Sequence, residues 1–255
     1  MSRLRAGLAP LILLGVLAMG WELACRLMHI PPYFLPAPSA IAMALSAGWP
    51  NLAVSALRTL GMAVQALIVA SLVANGLALT VSLSPVLERA VRPLAVALQV
   101  MPVVAIAPLF VIWAGVDHPD HAIVALAAIV AFFPIFSGAV SGLASADSDL
   151  ERLFALYGAT RWQRLVRLRL PSSVPFLLEG HKVASGLAII GAVVAEFVAG
   201  SGGAQGLAWR ILEASNRLQT ARMFAAIFVL AGVAAGLHFA FIALEKRALG
   251  WWRGR

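Results

Sequence analysis

AIVALAAIVAFFPIFSGAVSGLA, residues 122–144, runs without a single charged side chain. A helix needs about 20 predominantly apolar residues to cross roughly 30 Å of hydrocarbon, so length and composition make this stretch a transmembrane helix. The same reading extends outward in both directions. Residues 59–83 and 93–115 are also charge-free, and 223–244 carry only His238. Residues 183–200 hold one acid, Glu196, and gain length from the apolar 175–178. Near the start, 6–21 are apolar, Glu22 interrupts, and 23–25 continue. Six spans are expected. Continuous apolar runs lack the period-two alternation of a barrel strand, which excludes a closed β-barrel. The fold class is an all-α membrane protein.

Composition agrees. Of 255 residues, 62% are hydrophobic and 12% charged, against about 45–50% and roughly 25% in an average soluble domain. A soluble fold of this size could not hide that surplus. Intrinsic disorder is excluded. Cys25, the sole cysteine, excludes a disulfide framework and a thiolate metal site. Arg3 and Arg5 before an apolar run ending in Ala18-Met19-Gly20 also have the form of a cleavable secretory signal. The run continues past Trp21 in the same register, which favours a retained first span. With the amino terminus in the cytoplasm, 14 of the 19 Lys and Arg fall inside, leaving Arg26, Arg58, Arg210, Arg217 and Arg222 outside. That is the positive-inside asymmetry, and it makes both termini cytoplasmic. The net charge of +8 then sits beside anionic headgroups of the lipid bilayer and calls for no nucleic acid.

Between the fourth and fifth spans lies SADSDLERLFALYGATRWQRLVRLRLPSSVP, residues 145–175. It is too polar to span and too patterned for a loose loop. Ser148 and Glu151 have the spacing of a capping box. Leu150, Leu153, Phe154 and Tyr157 follow at i, i+3, i+4 and i+7, one apolar stripe on a short helix. Gly158 supplies the left-handed residue that ends it. Thr160 and Gln163 form a second capping box, opening a basic helix that Pro171 stops. Two short helices therefore meet at a glycine turn. Composition alone suits a pair of interfacial helices lying in the headgroups.

The residues also resemble a family. GATRWQRLVRLRLPSSVP, 158–175, looks like the cytoplasmic signature loop of bacterial ABC-importer permeases, with Gly158, Pro171 and Pro175 at matching positions. LPAPSA (35–40), WAGV (113–116), AFFPIF (131–136) and GAVVAEFVAG (191–200) are similar to the nitrate/sulfonate/taurine subgroup and its pyrimidine-precursor relatives. The resemblance covers about residues 35–250 in one collinear order. It implies a type I ABC-importer permease fold, with a single transmembrane permease domain over 1–255 whose core is about 57–244, in the bacterial plasma (inner) membrane. It further implies a cytoplasmic coupling helix, here 148–158 within the segment 145–175, seated in a groove of a separate ATPase. The implied partners are two ABC ATPase subunits, a second copy of this chain and an extracytoplasmic solute-binding protein. The coupling residues would be Leu150, Glu151, Arg152, Leu153, Phe154, Tyr157, Gly158 and Ala159. The sequence departs from the family pattern at one point: Arg152 stands where the family has its Glu, and Glu151 is one residue early. The subgroup implies a small organic or anionic solute, nitrate/sulfonate/taurine-like or pyrimidine-precursor-like, and LFALYGA (153–159) resembles the pyrimidine-precursor variant.

No glycine-rich phosphate loop precedes either lysine, Lys182 or Lys246, so ATP hydrolysis falls to the separate partner. No nucleophile elbow, zinc-helix motif or serine–lysine pair appears, and no catalytic residue, metal or cofactor is expected. Asp117, His118, Asp120 and His121 around Pro119 are read as a solvated turn. His238 is read as a buried, hydrogen-bonded histidine, and Gly232 and Gly236 as a close-packing pair. Glu196 inside a span must face protein or water, either as a pathway residue or as an anchor between helices, and Glu22 is a weaker version of the same case. Pro93, Pro102 and Pro108 should bend the third span. Freed carbonyls at a bend must face protein or a wet cavity, which makes Gln99, Met101 and Pro102 candidate pathway lining. Phe132 and Phe133 are further candidates. Against the importer stand a membrane-embedded enzyme, disfavoured because the spans hold almost no ionisable groups, and a scaffold or channel with interfacial helices.

Overall fold

The computed structural model describes residues 2–115, 118–199 and 205–252, with side chains omitted at 2–11, 85, 92, 251 and 252. Val116 of WAGV, Asp117 of the acid/histidine cluster, Gly200 and the basic residues Arg253 and Arg255 lie outside the described residues. Helices make up nearly all of the rest, and no strand occurs among the described residues. Among the described residues, four helices are long and apolar enough to cross a membrane: Pro38–Ser82, Pro119–Ala144, Arg161–Ala199 and Thr220–Gly250. A bent pair, Val86–Val100 with Val103–Ala114, has the length and composition of a fifth if counted as one broken span. The expected first span coincides with helix α1, Ser2–Leu27.

The second helix corrects the sequence reading most. α2 covers Pro38–Ser82, 45 residues, which is about 68 Å at the α-helical rise. The expected span beginning at residue 59 is only its second half. Pro50, Asn51 and Arg58 interrupt the apolar run but not the helix. Polar side chains on one face of a helix cost nothing where that face is wet.

The third span breaks where a proline dictates. α3, Pro85–Val100, is capped by Ser84, whose hydroxyl accepts from the Leu87 amide at 3.4 Å. α4 covers Val103–Ala114. Between them Met101 and Pro102 are extended, and the two helices bend by 97°. A residue before proline is pushed out of the helical region, and Met101 has ψ 126°. Pro93 and Pro108 sit inside α3 and α4 without breaking them.

The chain divides into two compact units, Met1–Leu57 with Gln205–Ala231 and Arg58–Ala204 with Gly232–Arg255. In the first, Glu22 of α1 accepts from the amide and hydroxyl of Ser39 at 3.0 and 2.8 Å, and pairs with Arg26. The acid thus satisfies the first turn of α2, where amides lack intrahelical partners. Arg210 of α9 (Leu207–Asn216) donates to buried Ser55 at 3.1 Å. Trp21 packs on Phe224 of α10 (Thr220–Trp252) at 5.9 Å between ring centroids.

The second unit is built on α5 (Pro119–Ala144) and α8 (Leu170–Ala199), its most extensively packed pair. Their facing sides are small: Ala127, Ala131 and Ala139 on α5, and Ala184, Ala188, Ala192 and Ala195 on α8. In a membrane, close backbone approach through small residues replaces the hydrophobic effect between helices. Gly180 shows how close: a β-carbon there would stand 2.7 Å from the Pro134 carbonyl oxygen. Gly232 and Gly236 of α10, expected to mark close packing, have no neighbour within 4 Å of a β-carbon position. His238, expected to be buried, is half-buried beside Phe239.

Candidate functional site

The segment between α5 and α8 forms two short helices, α6 (Ser148–Leu156) and α7 (Arg161–Arg164). The first capping box is not made. Asp147 is the N-cap instead, accepting from the amides of Asp149 and Leu150 at 2.7 and 3.3 Å, and Ser148 becomes the first helical residue. An ionised carboxylate is the stronger acceptor at the positive end of a helix. Glu151, released from capping, accepts from Arg169 Nε at 2.5 Å and faces Arg164 Nη1 at 3.5 Å. This pair of contacts braces α6 against the start of the next span.

The other end of α6 closes as the sequence demands. Gly158 has φ +68°, its amide donates to Ala155 O at 3.0 Å, and the Ala159 amide donates to Phe154 O at 2.9 Å. This is the Schellman closure, in which glycine takes the left-handed position at no steric cost. Thr160 and Gln163 make both bonds of their capping box, at 3.2 and 2.8 Å. The helix they open does not stop at Pro171. A π turn over Leu165–Arg169 leads straight into α8, with the Leu170 amide bonded to Leu165 O. Proline in a helix interior clashes with the carbonyl four residues back, and the wider turn immediately before it makes room.

The closed helix leaves apolar side chains outside. Leu156 and Tyr157 are 85% and 84% exposed, Leu150 and Leu153 are exposed, and Phe154 is half-buried. Sequence reading missed Leu156, although its i+3 spacing from Leu153 widens the same stripe. Arg152 points to solvent and pairs with Asp149 at 3.3 Å. Gly158 is exposed and Ala159 half-buried.

The pathway candidates are scattered. Gln99, Met101 and Pro102 are exposed at the α3–α4 break. Phe132 stacks on Phe136 at 5.5 Å between centroids. Phe133 lines a cavity with Glu88, Ser137 and Ser141. Glu196 is 1% exposed, on the buried face of α8 with Ala192, Ala195 and Ala199. At the start of α5, the His118 and His121 rings lie 5.3 Å apart.

Two polar clusters went unpredicted. Lys182 of α8 pairs with Glu179 and, at 3.0 Å, with Glu245 of α10. His181 Nδ1 lies 2.7 Å from Leu177 O and Nε2 lies 2.8 Å from Ser71 Oγ, which also accepts from Asn75. Nδ1 faces a carbonyl and must carry the proton, so Nε2 accepts from Ser71, a tautomer assigned from the network. Neither cluster shows in a linear reading, because the contacts that close them, Lys182 with Glu245 and Ser71 with His181, join residues far apart in sequence.

The chain belongs to the family described as binding-protein-dependent transport system inner membrane component, whose model matches residues 66–249. Its relatives place it among ABC-importer permeases of the sulfonate, taurine and pyrimidine-precursor group. The formylaminopyrimidine transport permease protein ThiX of Halalkalibacterium halodurans is 35% identical, over 98% of both chains. The riboflavin transport system permease protein RibX of Chloroflexus aurantiacus is 32% identical, over 94% of this chain and 88% of its own. The taurine transport system permease protein TauC of Escherichia coli is 29% identical, over 93% and 87%. The chain is therefore a multi-pass membrane permease.

Proposed function

We propose that this chain forms the solute pathway of an ATP-driven importer and takes its energy through α6 from a separate ATPase. The observation that carries the reading is the exposed apolar tip of α6, Leu156 and Tyr157, on a helix capped at both ends and braced by Glu151. Such a helix is built to lay its apolar side into a partner's groove. In this reading Leu150, Leu153, Phe154 and Tyr157 fill the groove, Leu156 extends the contact, and Gly158 and Ala159 set the turn beside it. Two copies of the chain enclose the pathway, two ATPase subunits dock on α6, and an extracytoplasmic binding protein delivers the solute. Both termini face the cytoplasm, and this chain hydrolyses nothing itself. The solute is small and organic or anionic, and similarity to a permease named for formylaminopyrimidine favours a pyrimidine-precursor-like ring.

Site-directed cross-linking tests the assignment. In a Cys25→Ser background, Tyr157→Cys should cross-link in native membranes to a soluble ATP-hydrolysing subunit. Adducts formed only with lipid-directed reagents would return the segment to the interfacial-helix reading.

A further inference from the structure

Arg161, Arg164 and Arg169 converge on one cavity of about 200 Å³, whose wall is completed by Ser82, Leu83 and Leu165. Coupling to the ATPase does not explain it, because the cavity lies beside the spans and not on the exposed tip of α6. Glu151 faces Arg164 and Arg169 but neutralises only one of the three positive charges, leaving two in excess. The cavity is short of an anion.

Its place in the chain says which anion. Arg161 begins the membrane-length helix Arg161–Ala199, and Ser82 ends the membrane-length helix Pro38–Ser82. Ser82 and Leu83 close the charge-free run 59–83, and the end of such a run lies at lipid headgroups, where the abundant anion is a phosphodiester. Trp162, next to Arg161, is exposed, as an amphipathic ring at headgroup level would be. Leu83, in the cavity wall, is exposed and apolar, suited to the glycerol and upper acyl chain. Planar guanidinium forks match phosphate oxygens in pairs.

We propose that this cavity binds the phosphate of an anionic phospholipid. The bound lipid shares Arg164 and Arg169 with Glu151, so it also bears on the brace that positions α6. Inorganic phosphate offers the same chemistry, and the test separates the two. The full-length chain is placed in nanodiscs of equal parts phosphatidylglycerol and phosphatidylcholine, and retained lipid is read by native mass spectrometry. Retention of phosphatidylglycerol in preference to phosphatidylcholine is expected. Arg161→Gln and Arg164→Gln should each weaken that retention about fivefold, the effect of one basic residue at an anionic surface. Arg26→Gln, whose partner is Glu22, should leave it unchanged. The Arg161 side chain is exposed and makes no hydrogen bond or ion pair among the described residues, so Arg161→Gln remains a valid test if Arg164→Gln misfolds. Equal retention of both lipids, or undiminished retention in Arg161→Gln, overturns the proposal. Displacement of the lipid by millimolar inorganic phosphate would assign the cavity to free phosphate. Loss of the lipid whenever the ATPase is bound would assign it to a protein contact.

Discussion

Glu151→Gln should loosen α6 without unfolding the spans. In the native chain Glu151 is 20% exposed and Arg169 34% exposed, and they meet at 2.5 Å. Exposed ion pairs are worth about 0.2–1 kcal/mol, and breaking a buried one costs about 3–5 kcal/mol. A half-buried pair falls between these limits and closer to the first, about 1.5 kcal/mol, with Arg164 contributing the smaller share at 3.5 Å. That corresponds to about a tenfold shift in the opening equilibrium of the helix. Hydrogen exchange on the full-length chain reads it directly. Amides of α6 should exchange about tenfold faster in Glu151→Gln, with α5 and α8 unchanged. Arg152→Glu is the control, because Arg152 is exposed and bonded only to exposed Asp149. It should leave exchange and stability nearly unaltered. Equal exchange in Glu151→Gln and the parent chain would refute the brace.

Gly158→Val forces a β-branched residue into φ +68°, costing about 1–2 kcal/mol. Amides of α6 and ATPase co-purification should both suffer while insertion survives. Gly180→Val drives a side chain against Pro134 O, where even a β-carbon would stand 2.7 Å away. Overpacking of this kind costs about 1–3 kcal/mol and should lower the thermal midpoint of the purified chain, whereas the exposed Gly236→Val should not. Topology tags at Ser2 and Arg255 should both report the cytoplasm, with a tag at Pro119 outside. If Ser2 is lost from the mature chain, the secretory-signal reading of residues 6–20 is correct and the remaining orientation stands.

Apolar run length made the spans legible, because lipid imposes one simple requirement on every side chain it touches. Gly158 and the Thr160–Gln163 cap were equally legible, since each is decided by residues within one turn. The errors arose where a neighbour in space or a competing group decided. Asp147 outcompeted Ser148 for the N-cap of α6, which drew Glu151 away to an arginine eighteen positions on. Local sterics make Pro171 a stop, yet a π turn accommodates it. The first half of α2 carries Pro50 and Arg58, which end a lipid-facing run but not a helix. Residues that meet only in the fold, such as Ser71 with His181, left no periodic trace to find.

The most direct test of the account places a charge at the tip of α6. Leu156→Asp and Leu153→Asp put a carboxylate into what should become an apolar contact with the ATPase, at a cost of several kcal/mol once desolvated. Leu156 is largely exposed in the chain by itself, so its replacement should not disturb folding or insertion. The measurement is the amount of ATPase that co-purifies with the membrane-inserted variant, with solute uptake recorded in the same cells. The account predicts normal insertion, loss of the ATPase and no uptake. A full complement of ATPase with normal uptake in both variants would contradict it.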